Sequence, residues 1–136
     1  MPTPDPVVPS ALPVRCPCLS GNGYVDCCGR LHRGESRAAT AEQLMRSRYS
    51  AFAVGDADYL LATWHPRTRP EDLELDGTVR WMRLDIERTE RGGMLDTVGI
   101  VEFTAYARQG GHRSRQHEVS RFEKVAGVWF YLEATD

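Results

Sequence analysis

The segment D-T-V-G-I-V-E-F-T-A-Y-A-R, residues 96–108, decides the fold class because apolar and polar side chains alternate along it. An alternation with period two is typical of a β-strand that buries one face. The two faces carry Val101, Phe103 and Ala105 on one side and Ile100, Glu102, Thr104 and Tyr106 on the other. Glycines lie a few residues beyond both ends, so short turns should connect this strand to its neighbours.

Three further segments share this period and predict three more strands. They cover residues 79–90, 115–125 and 128–134. In the first of them the alternation places Met82, Leu84 and Ile86 on one face and Trp81, Arg83, Asp85 and Glu87 on the other. Consecutive strands joined by short glycine-bearing turns favour an antiparallel meander of four strands.

Helical periodicity precedes the strands. Thr40 and Gln43 form a capping-box pattern, and apolar residues then recur at helical spacing until Gly55. This pattern predicts an amphipathic helix between Thr40 and Gly55.

Two shorter helical segments are expected after it. Asp56 is the expected N-cap of a second helix, which ends at His65 because the residue before Pro66 is disfavoured in the α conformation. A third short helical segment is expected over residues 70–75. Two or three helices followed by strands predict an α+β fold, in which the helices pack on a curved antiparallel sheet as a cone-shaped roll.

A roll of this kind has a cavity between helices and sheet, where polar side chains would bind a ligand. The candidates for its polar lining are Arg46, Arg48, Tyr49, Tyr59, His65, Glu102, Tyr106, His117, Glu118 and Arg121. His117 and Glu118 point to opposite faces of one strand, so they form no acid–base pair unless a bulge intervenes. An ion pair of Arg48 with Glu102 or Glu118 is favoured over catalysis, and no catalytic residue is assigned.

All four cysteines lie within C-P-C-L-S-G-N-G-Y-V-D-C-C-G, residues 16–29. Two precede a glycine-rich loop and two follow it, which suits one tetrahedral ion, and one structural Zn²⁺ is expected with iron as the alternative. The expected ligands are Cys16, Cys18, Cys27 and Cys28. His32 is the reserve ligand, since on a helix it would share the face of Cys28. Disulfides and thiol redox chemistry are less favoured alternatives, because adjacent cysteines make a strained pair and no thioredoxin-type C-x-x-C is present.

The region after the cysteines, residues 29–39, is polar and mostly basic. A solvated linker with one helical turn is the simpler interpretation. The alternative is a patch beside the metal module that docks anionic partners, formed by Arg15, Arg30, Arg33 and Arg37. The net charge of −2 argues against a general nucleic-acid-binding protein, which would be strongly basic.

Residues 1–14 contain five of the eight prolines and no charged segment followed by an apolar run. A disordered tail is expected over residues 1–13, without a signal peptide. The metal module is expected over residues 14–36 and the roll over residues 37–136. No apolar run is long enough to span a membrane, and a cytoplasmic protein with reduced thiols is expected.

The cysteine-rich run resembles a known motif. Cys16, Cys18, Ser20, Gly21, Tyr24, Cys27, Cys28 and Gly29 look like the SEC-C motif, the small zinc-binding tail of the preprotein translocase ATPase SecA, which also occurs on other bacterial proteins. Cys28 stands where SecA commonly has a histidine ligand. The resemblance implies a zinc ion, and in SecA the partners of this tail are the chaperone SecB and the ribosome.

Longer runs resemble the YchJ family of bacterial proteins. They are L-M-R-S-R-Y-S-A-F (44–52), D-Y-L-L-A-T-W-H-P (58–66), V-E-F-T-A (101–105), H-E-V-S-R-F (117–122) and G-V-W-F-Y (127–131). The resemblance covers roughly residues 14–134 and implies a nuclear transport factor 2-like, cystatin-like roll. Such rolls host both enzymes and interaction domains, so the fold alone assigns no activity.

Three functions are compatible with these features. The favoured one is a zinc-binding adaptor, in preference to an enzyme, whose metal module docks a partner protein or a ribosome-like surface. The alternatives are a small-ligand binder or enzyme that uses the cavity of the roll, and a nucleic-acid or thiol-redox accessory protein. A homodimer formed through the open face of the sheet is a further expectation.

Overall fold

The computed structural model of the protein describes residues 13–135. Its elements are a 3₁₀ turn (Tyr24–Asp26), helices α1 (Cys28–His32), α2 (Ala41–Val54) and α3 (Ala57–Ala62), and strands β1 (Arg80–Arg91), β2 (Val98–Gln109), β3 (His112–Val125) and β4 (Val128–Ala134). The predicted α+β class is confirmed. The tail expected over residues 1–13 lies outside the described residues, except for Pro13. Between residues 13 and 135, no helix is long and apolar enough to cross a membrane.

Helix α2 begins and ends where the sequence indicates. The side-chain oxygen of Thr40 accepts a hydrogen bond from the backbone N–H of Gln43 at 3.1 Å. The side-chain oxygen of Gln43 in turn accepts one from the N–H of Ala39. Gly55 ends the helix with a φ of 81°, a left-handed conformation that glycine adopts without steric cost. Both ends of α2 are therefore determined by local sequence.

Replacing Thr40 with alanine is expected to lower the free energy of unfolding by about 1 kcal/mol, because the N–H of Gln43 loses its acceptor. Urea-induced unfolding followed by circular dichroism measures this change. Thr40→Ser keeps the hydroxyl oxygen, so this matched control should leave the stability nearly unchanged. An equal loss in both variants would show that the methyl group of Thr40 matters and that the cap does not.

Helix α3 is shorter than expected and ends at Ala62, three residues before His65. The side chain of Asp56 caps its start, as predicted. Beyond its end the backbone pairs with β4: the N–H of Tyr131 donates to the carbonyl of Thr63, and the N–H of His65 donates to the carbonyl of Tyr131, each at 2.8 Å. Hydrogen bonds to a strand distant in sequence have replaced the last helical turn.

The helical segment expected over residues 70–75 is wrong, because this part of the chain has no regular secondary structure. Its acidic residues Glu71, Asp72 and Glu74 are exposed, so little packing stabilises the segment. Without such packing, so short a helix forms too few hydrogen bonds to offset the cost of its first turn.

The four strands form one antiparallel sheet in the order β1-β2-β3-β4, as the meander pattern predicts. Val101, Phe103 and Ala105 are buried on the inner face, which packs against α2. Phe103 lies opposite Glu118 in β3, and Ala105 lies opposite Gln116. Because directly opposed residues share a face, Glu118 and Gln116 also point inward.

Strand β1 departs from strict alternation. Its register with β2 shifts between Trp81 and Arg83 and again between Ile86 and Arg88. Trp81 packs against the main core, whereas Met82 is exposed. The predicted faces of Trp81 and Met82 are therefore wrong, because a bulge inserts an extra residue and reverses the direction of the side chains beside it.

The main core lies between α2 and the sheet. It consists of Ala41, Leu44, Met45, Tyr49, Leu84, Val101, Phe103, Ala105, Phe122 and Trp129. At one edge of it the backbones approach closely, since a Cβ on Gly99 would lie 2.6 Å from the Cα of Gly92 and 3.0 Å from the Cβ of Ala41. The N–H of Ala41 also donates to the carbonyl of Gly92 at 2.9 Å. The two glycines allow the first turn of α2 to contact the hairpin between β1 and β2.

Candidate metal centre and inner cavity

A tight turn brings the first two cysteines to one place. The N–H of Cys16 donates to the carbonyl of Asn22 at 3.0 Å, and both Cys16 and Cys18 are buried. Gly21 has a φ of 93° in this turn, as expected for a glycine-rich loop, but Leu19 also has a positive φ, of 65°. The sequence therefore predicts the turn but not the strained position of Leu19.

The second pair of cysteines leads into the first helix. The N–H of Cys27 donates to the carbonyl of Tyr24 at 3.1 Å, and helix α1 begins at Cys28. Gly29 is required here, because a Cβ at this position would lie 2.6 Å from the carbonyl oxygen of Tyr24. This close return of the chain places the second pair of thiols beside the first.

The four thiol groups meet at one point. The Sγ atoms of Cys16, Cys18, Cys27 and Cys28 all lie within 4.8 Å of one another, and those of Cys18 and Cys27 are 3.7 Å apart. Thiolates at the corners of a tetrahedron with zinc–sulfur bonds of about 2.3 Å would be about 3.8 Å apart. All four cysteines are free thiols, with no disulfide among them. This donor set could hold one metal ion.

The thiols of Cys16 and Cys28 differ in how readily they ionise. Hydrogen bonds from Cys18 and Cys28 hold the pKa of the Cys16 thiol well below its usual value. Hydrogen bonds with Cys16 and Cys18, together with burial, raise the pKa of the Cys28 thiol. Negative charge is thus favoured on the sulfur of Cys16, whereas the thiol of Cys28 holds its proton more tightly. A bound divalent cation would displace a thiol proton and stabilise the thiolate.

His32, the reserve ligand, uses both ring nitrogens elsewhere. Its Nε2 lies 2.9 Å from the carbonyl oxygen of Ser47 in α2, and its Nδ1 lies 2.6 Å from the hydroxyl of Tyr24. Because a carbonyl only accepts, Nε2–H donates and Nδ1 accepts from Tyr24. Tyr24 is buried against the cysteines, and burial raises its pKa to about 12. His32 therefore joins the cysteine module to helix α2.

Other polar contacts fix the module to the same helix. Nη1 of Arg46 donates to the carbonyl of Cys18 at 3.2 Å, and Oγ of Ser50 lies 3.6 Å from Sγ of Cys16. Arg46 was expected in the cavity and instead supports the module. Ser50 was not anticipated. Ser50 lies four residues after Arg46, on the same face of α2, and this spacing is the feature of the sequence that could have indicated its contact with the module.

The docking-patch candidates Arg15, Arg30, Arg33 and Arg37 are all exposed. Arg33 is engaged within the module, since its Nε donates to the carboxylate of Glu35 at 2.7 Å and its Nη2 to the carbonyl of Val25 at 2.9 Å. Arg30 lines a surface groove that also contains Cys27. Asp26 and Glu42 line the same groove, so charges of both signs lie near the least buried cysteine.

A second site lies inside the roll, between α2 and the inner face of the sheet. Its volume is about 260 Å³, and aromatic side chains dominate its lining. They are Tyr49, Phe52, Trp64, Trp81, Phe103 and Tyr131. Of the predicted lining residues, the structure brings Arg48, Tyr49 and Glu118 to this cavity.

Two more candidates from the helical region lie outside the cavity. The hydroxyl of Tyr59 is hydrogen-bonded to Oγ of Ser47 at 2.7 Å, on the side of α2 that faces the module. Nε2 of His65 lies 2.7 Å from a carboxylate oxygen of Glu123. Both side chains stabilise the packing between elements.

The remaining candidates, Glu102, Tyr106, His117 and Arg121, lie on the outer face of the sheet. Nε2 of His117 is 2.7 Å from the carboxylate of Glu102, and its hydrogen bond lowers the pKa of that carboxyl group. The ring of Tyr106 lies under the guanidinium of Arg83. Alternation separates His117 from Glu118 correctly, but it does not indicate which of them faces inward.

Arg48 is almost completely buried, with 3% of its surface exposed. Its Nη1 donates to the carbonyl of Leu60 at 2.8 Å and to Oγ1 of Thr63 at 2.7 Å. The guanidinium carbon lies over the rings of Trp64 and Tyr131, 5.2 and 4.5 Å from their centroids. Aromatic faces and neutral acceptors surround the charge.

The predicted ion pair of Arg48 with Glu102 or Glu118 is therefore wrong. Glu102 points outward, and Glu118 accepts hydrogen bonds from Gln116 and Ser120. Burial lowers the pKa of Arg48 to about 10, so the side chain remains charged at neutral pH. Its charge is buried without a carboxylate hydrogen-bonded to it among residues 13–135.

Comparisons with known proteins agree with this arrangement. Residues 40–134 match the family model described as YchJ, middle NTF2-like domain. A UPF0225 protein of Streptomyces coelicolor is 52% identical over 118 residues, which span 87% of this chain and 92% of that protein. A UPF0225 protein of Chromobacterium violaceum is 52% identical over 121 residues, which span 86% of this chain and 89% of that protein.

Two solved structures of SEC-C motif containing proteins are also similar. The solution structure from Rhodopseudomonas palustris superposes with a TM-score of 0.75 at 36% identity and covers 88% of this chain and 95% of that one. The crystal structure from Psychrobacter arcticus gives a TM-score of 0.72 at 28% identity and covers 88% of this chain and 81% of that one. The chain therefore belongs to the YchJ-like family, and its NTF2-like domain follows a cysteine cluster of the SEC-C type.

Proposed function

We propose that the protein is a zinc-binding adaptor that docks a partner through its metal module. The observation that supports the proposal most directly is that the Sγ atoms of the four cysteines lie within 4.8 Å of one another. Four thiolates fill every position around a tetrahedral Zn²⁺, so the ion stabilises the fold and leaves no position for a substrate. In a reducing cytoplasm these thiols stay available to the metal. The module then supplies a surface for binding, and the roll acts as its scaffold.

The surroundings of the cluster support a docking surface. Arg15, Arg30 and Arg37 are exposed within or just after the module. Two apolar side chains of the same module, Leu19 and Val25, are 57% and 52% exposed. Exposed apolar groups mixed with positive charge suit an acidic protein surface or an anionic, ribosome-like surface.

Elemental analysis of protein purified without added metal tests the zinc site. One equivalent of zinc, whose removal by a chelator disorders only the region near residues 14–34, would support the proposal. Absence of any metal, together with rapid oxidation of Cys27 and Cys28, would contradict it and favour thiol redox chemistry.

Co-sedimentation with purified bacterial ribosomes tests docking on an anionic surface. Replacing Arg15, Arg30 and Arg37 together with glutamine is expected to weaken binding by about tenfold. This corresponds to about 1.4 kcal/mol, or roughly 0.5 kcal/mol for each arginine. Binding should also weaken as salt is added, because exposed charges are screened.

A second triple variant provides the matched control. Arg108, Arg113 and Arg115 are exposed on the hairpin between β2 and β3, and replacing them with glutamine removes the same charge. This control should bind ribosomes as the unmodified protein does. Equal losses in both triple variants would indicate non-specific attraction and contradict docking through the metal module.

A further inference from the structure

The inner cavity combines groups that the adaptor function does not use. It occupies about 260 Å³ between α2 and the sheet, and its walls are mainly aromatic. The polar side chains in its lining are Arg48, Gln116, Glu118 and Ser120. A largely apolar cavity with a few convergent polar groups is the usual form of a small-molecule site.

Arg48 is a buried cation with unused hydrogen-bond donors. Both of its hydrogen bonds within residues 13–135 leave from Nη1, to Leu60 and Thr63. A guanidinium carries five N–H donors, so Nε and Nη2 remain for another acceptor. Glu118 in the same cavity attracts this desolvated charge without a hydrogen bond to it, and a carboxylate from a ligand could pair with it directly.

Trp64 gives a second, independent indication. It lines the same cavity and lies against the guanidinium of Arg48. Its indole Nε1 is buried and has no hydrogen-bond partner among the described residues. Buried donors are nearly always paired, so each exception calls for an explanation, and an acceptor from outside the protein is one. A residue beside Arg48 therefore carries an indole donor that no described residue satisfies.

Glu118, on the sheet side of the cavity, restricts the charge of a ligand. Its carboxylate accepts from Nε2 of Gln116 at 3.0 Å and from Oγ of Ser120 at 3.4 Å, which holds it in place. It would repel a second negative charge on a ligand. The cavity thus favours a ligand with one carboxylate over a ligand with two.

We propose that the cavity binds a small monocarboxylic acid with a flat apolar body. The carboxylate pairs with Nε and Nη2 of Arg48, because a planar guanidinium fits a carboxylate through two parallel hydrogen bonds. The apolar body packs against the aromatic side chains, among which are Tyr49, Trp81 and Phe103. This site is separate from the metal centre and does not depend on the adaptor function.

Binding of phenylacetate to the full-length protein tests the proposal. Isothermal titration measures affinity, and tryptophan fluorescence reports on Trp64 and Trp81. Phenylacetamide, which has the same shape without the charge, is the matched control and should bind at least about tenfold more weakly. Equal binding of the two probes would overturn the proposal. So would a lack of binding by phenylacetate, hexanoate and indole-3-acetate up to roughly 10 mM.

Variants of Arg48 identify the group that pairs with the carboxylate. Arg48→Met should weaken phenylacetate binding at least about tenfold. Arg48→Lys keeps the positive charge but loses the planar guanidinium that forms two parallel hydrogen bonds, so it should weaken binding less. Arg121→Met removes an arginine that pairs with Glu133 on the outer face and should change nothing. If Arg48→Met does not fold, Arg48→Lys still decides: unchanged phenylacetate affinity in either folded variant would overturn the proposal.

Discussion

Replacing Cys28 with serine is expected to abolish metal binding and to unfold the cysteine module while the roll stays folded. Cys28 is buried, and its Sγ lies within 4.8 Å of the other three. A serine hydroxyl is a poor zinc ligand. Structural zinc contributes about 10 kcal/mol or more to the folding of small zinc modules. The main core contains none of the cysteines, so it should remain intact.

The measurements are zinc content per protein and hydrogen exchange along the chain. Amide protection should disappear near residues 14–34 and persist in strands β2 and β3. Val25→Ser is the matched control, because it places serine at an exposed site of the same module and leaves the thiols in place. A Cys28→Ser protein that keeps one equivalent of zinc and a protected module would show that three thiolates suffice.

Replacing Gly99 with alanine is expected to lower the free energy of unfolding by about 1 to 3 kcal/mol. The new Cβ would lie 2.6 Å from the backbone Cα of Gly92 and 3.0 Å from the Cβ of Ala41. Neither neighbour is a flexible side chain that can move aside. Residue 99 must therefore move away from Gly92 within the hairpin between β1 and β2, and the hairpin must also yield at Ala41 in the first turn of α2. These shifts strain the hydrogen bond between Ala41 and Gly92.

Urea-induced unfolding provides the comparison, with Gly77→Ala as the matched control. A Cβ on Gly77 meets no atom within 4 Å, and its φ is not in the left-handed region. The same substitution there should have no effect or raise the stability slightly, by restricting the unfolded chain. Equal stabilities of the two variants would show that the close approach at Gly99 relaxes without cost.

Local signals allow much of this fold to be predicted. The caps at Thr40 and Gly55 depend on residues within one helical turn, and the alternation in β2 spans a single strand. The two errors in β1 and α3 have causes far away in sequence. Trp81 faces the core because β1 shifts its register against β2. Helix α3 ends early because the backbone beside Thr63 pairs with β4.

The two candidate sites also differ in how far local sequence predicts them. The cysteine cluster could be predicted because its four residues lie within one short segment, so spacing alone brings them together. The cavity lining depends on which face of each strand turns inward, and alternation leaves that choice open for His117 and Glu118. The contacts of Arg48 could not be predicted from the sequence either. A carbonyl oxygen, a hydroxyl oxygen and two aromatic rings contact its guanidinium in place of a carboxylate.

The position of β4 after the other elements of the core has a consequence for synthesis on the ribosome. Trp129 of β4 belongs to the main core, and its indole N–H donates to the carbonyl of Ala39, just before α2. The core therefore closes only after the last strand has left the exit tunnel. The cysteines lie within a short segment that is synthesised before α2 and the strands, so they can take up a metal ion before the sheet covers the apolar face of α2.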